Sequence, residues 1–63
     1  MVIAEYAHPA QRWYVRIASG KFTGKKGFMY EDPQKLSAFE TAIVHDDENR
    51  MAYKVFAYRV KMD

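Results

Sequence analysis

The sequence predicts an all-β domain, a small barrel of about five antiparallel strands, and three observations carry that prediction. Residues 13–18 alternate strictly between two faces, residues 51–58 do so over a longer run, and a basic segment between residues 18 and 28 holds all three glycines, Gly20, Gly24 and Gly27. A period of two is the signature of a strand, because successive side chains of an extended chain point to opposite sides. Glycines crowded between two such runs mark a connection that turns sharply.

Taken in order, residues 2–7 read as a short leading strand that His8-Pro9 interrupts. In residues 13–18, Trp13, Val15 and Ile17 share one face, predicted to be core, while Tyr14, Arg16 and Ala18 share the other. Residues 27–31 form the next strand, ended by the turn signal Glu31-Asp32-Pro33-Gln34. Residues 33–43 support two readings. Asp32 is a good N-cap, Pro33 suits a first helical position, and Leu36, Phe39 and Ile43 recur at helical spacing, which would make the chain α+β with one helix on a three- or four-stranded sheet. Thr41, Ile43 and Val44 are β-branched, however, and residues 41–45 can pair with 51–55 across an Asp-Asp-Glu-Asn turn after a single helical turn near residues 34–37. The last run should break near Ala57, where a barrel needs a corner, leaving a short closing strand. Val15, Ile17, Met29, Ile43, Val55 and Val60 are the expected core. No repeat or linker divides the chain, so residues 1–63 are expected to form one domain.

Between the first two clear strands, Val15, Ile17, Ser19, Gly20, Phe22, Gly24, Gly27 and Met29 fall in register on a pattern of the form V-x-V-x-S-G-x-F-x-G-x-x-G-x-V. This resembles the KOW motif of ribosomal proteins and NusG-type transcription factors. The resemblance is strong over about a quarter of the chain and looser beyond it, where residues 42–55 look like the following hairpin and residues 57–61 like the closing strand of an SH3-like barrel. It implies that fold, and a module that binds RNA, DNA or a ribonucleoprotein within transcription or translation machinery.

With 63 residues the chain can bury only about 60% of the surface its unfolded form exposes, so the core must be small. There is no cysteine to supply a disulfide or thiolate site, and aromatic residues, at 16%, must supply much of the packing. No apolar run approaches the roughly 18 residues of a membrane span, and the first residues lack the order of a signal peptide, which predicts a cytoplasmic chain with no membrane partner. The net charge of +2 is unevenly spread. Residues 1–30 carry five Lys or Arg and one acid, whereas residues 31–63 carry five against seven. The glycine-loop half is thus the cationic half, a mild bias of the kind a phosphate backbone would favour.

The candidate contacts follow from that half. Arg16, Lys21, Lys25 and Lys26 could neutralise phosphates, with Tyr14, Phe22 and Tyr30 as stacking or packing neighbours, since a ring can stack on an unpaired base while a cation holds the next phosphate. Phe22 also suits a second role, folded inward to cap the core. Gly20, Gly24 and Gly27 are assigned to loop shape. Gly24-Lys25 is not a phosphate-binding P-loop, because only three residues separate it from Gly20, Lys26 follows where Ser or Thr is needed, and a strand comes next instead of a helix.

Catalysis, metals and cofactors are not expected. Asp46, Asp47, Glu48 and Asn49 lack the alternate ligands and central glycine of a calcium loop and read as a solvated hairpin turn. His8 and His45 have no third ligand for zinc, and the hydroxyl residues have no local base. So small a domain also rarely encloses a substrate pocket. The leading expectation is therefore a nucleic-acid- or ribonucleoprotein-binding module without a small-molecule substrate. The alternative is a protein-interaction module, such as a small phage-type regulator or inhibitor of a host complex.

Overall fold

The computed structural model describes residues 11–46 and 48–63. They form five antiparallel strands, β1 (Trp13–Ile17), β2 (Lys26–Met29), β3 (Thr41–Asp46), β4 (Met51–Phe56) and β5 (Val60–Met62), in the sheet order β4-β3-β2-β1-β5. The sheet curls into a half-barrel, and the all-β expectation holds. The leading strand expected at residues 2–7 lies outside the described residues.

The β3–β4 hairpin is the best-paired part of the sheet, running from Thr41 opposite Phe56 to Asp46 opposite Met51. In contrast, β2 and β3 share the single pair Phe28–His45. The chain can cross so closely there because Gly27 has no side chain. A Cβ on Gly27 would run into the backbone carbonyl of His45. That close approach lets the sheet bend sharply enough to enclose a core from so few residues.

The core consists of Val15, Ile17, Met29, Ala42, Val44, Tyr53 and Ala57, with Phe22, Leu36, Val55 and Val60 packed against it. Ile43 is not part of it. Pairing of Ala42 with Val55 and of Val44 with Tyr53 commits the even-numbered residues of β3 to the inside, so Ile43 points outward and stays 41% exposed. Trp13, expected in line with Val15 and Ile17, is only half-buried at the start of β1.

Residues 33–43 form no long helix. Asp32 does cap a turn, its carboxylate accepting from the Gln34 amide at 2.9 Å, but the turn is a three-residue 3-10 segment, Pro33–Lys35. Leu36 returns to extended backbone (φ −91°, ψ 142°). A second local turn follows, in which the Glu40 side chain accepts from the Ser37 amide and the Glu40 amide donates to the Ser37 carbonyl. The capping signals were real but local. The β-branched residues of β3 then took the extended conformation their pairing with β4 rewards.

At the other end, the 3-10 turn Ala57–Arg59 makes the expected corner between β4 and β5. It is held from two sides. Ala57 and Tyr58 donate to the carbonyls of Glu40 and Ala38, while the Arg59 carbonyl accepts from the Ala18 amide at 2.7 Å. β5 then pairs with β1, placing Val60 opposite Ile17.

Candidate nucleic-acid interface

Because paired residues share a face, the registers assemble the outer surface of the sheet from residues distant in sequence. Lys61 lies opposite Arg16, and Arg16 lies opposite Lys26, giving a row of three exposed cations across β5, β1 and β2. One step along, Tyr14 lies opposite Phe28 and Phe28 opposite His45. Phe28 is only 6% exposed yet stands apart from the core cluster. It is buried beneath the outer face instead. His45 stacks on it at 5.4 Å, Tyr30 and Tyr14 meet it edge-on at 5.3 and 6.3 Å, and the Arg12 guanidinium lies 4.3 Å from its ring centre. Tyr14 and Tyr30 remain about half exposed, at 54% and 47%. An aromatic platform thus borders a cationic row.

The glycine loop behind this face is closed by the Ile17 amide donating to Lys25 and the Gly24 amide donating to Ile17, both at 2.8 Å. Gly24 takes φ +93°, a conformation side chains rarely adopt, and nothing else crowds it. This loop does not gather its lysines into one patch, as the sequence suggested. Lys25 and Lys26 line a groove of about 440 Å³ together with Tyr14 and with the acidic residues Asp46, Glu48 and Asp63. Lys21 and Phe22 face a different groove, of about 370 Å³, beside Lys54, Phe56 and Arg59. Phe22 itself is half-buried, 4.8 Å from the Tyr53 ring, which agrees with the core-capping role.

The expected acidic turn is also divided. Asp46 is 7% exposed and fully engaged, its Oδ1 accepting from the amides of Glu48 (2.9 Å) and Asn49 (3.3 Å) and its Oδ2 accepting from Asn49 Nδ2 (3.1 Å) and the Tyr53 hydroxyl (3.0 Å). Burial alone would raise its pKa, but these hydrogen bonds favour the charged form and hold the carboxyl below its ordinary value. Burial, followed by the bond to Asp46 and its charge, pushes the Tyr53 hydroxyl up. Asp46 therefore shapes the hairpin, whose turn ends with Arg50 at φ +54°. Among the described residues, no group of three or more His, Cys, Asp or Glu is placed to hold a metal ion. Nor is any helix among them long and apolar enough to cross a membrane.

Arg12, Phe28, His45 and Lys61 join the outer face, and Lys54, Phe56 and Arg59 the second groove, without having been singled out in the sequence. Alternation extended through Arg12, Tyr14 and Arg16 was a usable signal for the first of these. The cross-strand partners had none, since register is not written locally. Comparison with protein-family models, with curated proteins and with solved structures finds no match, so the interface is read from its own geometry.

Proposed function

We propose that this chain is a nucleic-acid-binding module whose outer sheet face holds phosphate with Lys61, Arg16 and Lys26 and presents Tyr14 and Tyr30 to bases. The observation that carries the reading is the register of like charges. Directly opposed like charges on neighbouring strands destabilise a sheet, and nothing in the packing of the core requires Lys61, Arg16 and Lys26 to be basic. A polyanion laid across the row turns that repulsion into attraction and gains from counterion release. Aromatic side chains alongside suit RNA or single-stranded DNA, whose bases are open to stacking. The KOW-like pattern of residues 15–29 points in the same direction, toward work with transcription or translation machinery. Binding, with no catalytic step, accounts for these features.

The test is a fluorescence titration of RNA and DNA oligonucleotides at several salt concentrations, comparing the native chain with an Arg16→Ala, Lys26→Ala, Lys61→Ala variant. With about 0.7 to 0.9 units of logarithmic slope per phosphate contact, loss of all three should reduce the slope by roughly two to three units. Equal slopes, or no binding at low salt, would refute the proposal.

A further inference from the structure

We infer that the groove beside β4 is a base-stacking subsite for single-stranded nucleic acid, an inference that rests on the nucleic-acid reading above and gives it a strand preference. The groove holds about 370 Å³ and is lined by Phe22, Val55 and Phe56 as an apolar floor and by Lys21, Lys54 and Arg59 as a cationic rim. That volume lies within the range of small-ligand sites, roughly 300 to 1,000 Å³. Thr41 completes the described lining, and none of these residues is acidic.

The three cations come from three separate elements, namely the glycine loop, β4 and the Ala57–Arg59 turn, so the rim is a product of the fold and not of a charged run. Arg59 is held in place. Its Nη1 donates to Ser19 Oγ at 3.3 Å and its guanidinium lies 4.9 Å from the Tyr58 ring centre. Gly20 leaves the room it needs, since a Cβ there would come within 2.6 Å of Arg59 Nη1.

The apolar part is equally specific. Phe56 is 45% exposed and lies nearly parallel to Tyr58, at 5.8 Å and 16°. Phe39, 74% exposed, braces both rings edge-on, at 5.7 Å to Phe56 and 5.6 Å to Tyr58. Three rings thus hold one another in fixed orientations while leaving much of their surface open. The rings cover one another only in part and leave a contiguous aromatic surface next to Lys54 and Arg59. A ring fixed beside cations is what an unpaired base with its phosphate requires, because the base stacks while the cation neutralises the backbone. A duplex offers the groove phosphates but no free base face, so the site discriminates by strandedness.

The experiment uses the full chain and three fluorescently labelled probes, namely a ten-nucleotide oligothymidylate, a ten-nucleotide oligouridylate and a DNA duplex of equal length. Phe56→Leu keeps an apolar side chain but removes the π face, and should weaken both single strands by about tenfold or more while leaving the duplex within about twofold. Lys54→Gln, at an exposed position, should lower the single-strand salt slope by about 0.7, so the inference is tested even if Phe56→Leu unfolds. A larger effect on oligouridylate assigns the site to RNA, a larger effect on oligothymidylate assigns it to DNA, and an equal effect assigns it to the base and phosphate they share; each supports the subsite. If both variants bind all probes as the native chain does, while Arg16→Ala with Lys26→Ala weakens binding, the subsite is overturned and the outer-face reading stands. If the native chain binds no probe at low salt, both fall, and the exposed rings belong to a protein partner.

Discussion

The inner and outer faces of the same five strands have opposite chemistry. Ile17 and Arg16 are neighbours on β1, yet Ile17 is fully buried against Val15, Met29 and Val44, and Arg16 is exposed between Lys61 and Lys26. On the inside every described side chain has a packing reason, and even the buried carboxylate of Asp46 has all its partners. Outside, Phe28 is packed beneath Tyr14, Tyr30, His45 and Arg12, but the row Lys61, Arg16 and Lys26 and the open parts of Tyr14 and Tyr30 have no such reason. One set of alternating residues therefore specifies the fold, and the other is free to specify what the fold meets.

The sharpest way to break that comparison is to exchange its two sides. Ile17→Ala should cost about 3 to 4 kcal/mol, a large part of the stability expected for so small a domain, whereas Arg16→Ala next to it should change stability by no more than about 0.5 kcal/mol. Urea denaturation followed by Trp13 fluorescence measures both. Comparable losses at the two positions would erase the distinction.

The glycines give a smaller but finer contrast. Gly27→Ala forces a methyl group into the His45 carbonyl and should cost about 3 kcal/mol, while Gly24→Ala meets no atom and should cost about 1 kcal/mol for its backbone conformation alone. Thermal melts that reverse this order would mean that β2 and β3 do not cross as closely as described.

A still smaller effect concerns acid. Because the folded-state pKa of Asp46 lies below its ordinary 3.8, the stabilisation it supplies is complete above that value and fades as pH falls through the lower, folded pKa. Asp46→Asn should therefore be less stable at neutral pH and should flatten the acid limb of the stability curve. The comparison is made by melting both proteins from pH 7 down to pH 2, and an unchanged acid limb would remove Asp46 from the account.

Much of the inner face was legible because alternation is a local property. Val15 and Ile17, the β3–β4 hairpin and the corner at Ala57 all follow from period, turn residues and length. Ile43 was misplaced because alternation along β3 does not say which set of residues faces inward; the pairing of Ala42 with Val55 and of Val44 with Tyr53 decides it. The outer face was legible only by halves. Arg16, Lys26, Tyr14 and Tyr30 could be seen as basic or aromatic, but which of them stand together depends on register, and Lys61 and His45 enter only through it. The same reason separates Lys21 from Lys25 and Lys26. A few residues of a tight loop can point into different grooves, and sequence adjacency says little about which.

Most directly, the division between the faces can be tested by following backbone amide shifts of the labelled chain by NMR as a single-stranded oligonucleotide is added at low salt. The account predicts that shifts concentrate at Arg12, Tyr14, Arg16, Lys26, Tyr30, His45 and Lys61, with a second set at Lys21, Lys54, Phe56 and Arg59. Shifts that leave both sets unmoved, or none at saturating oligonucleotide, would contradict it.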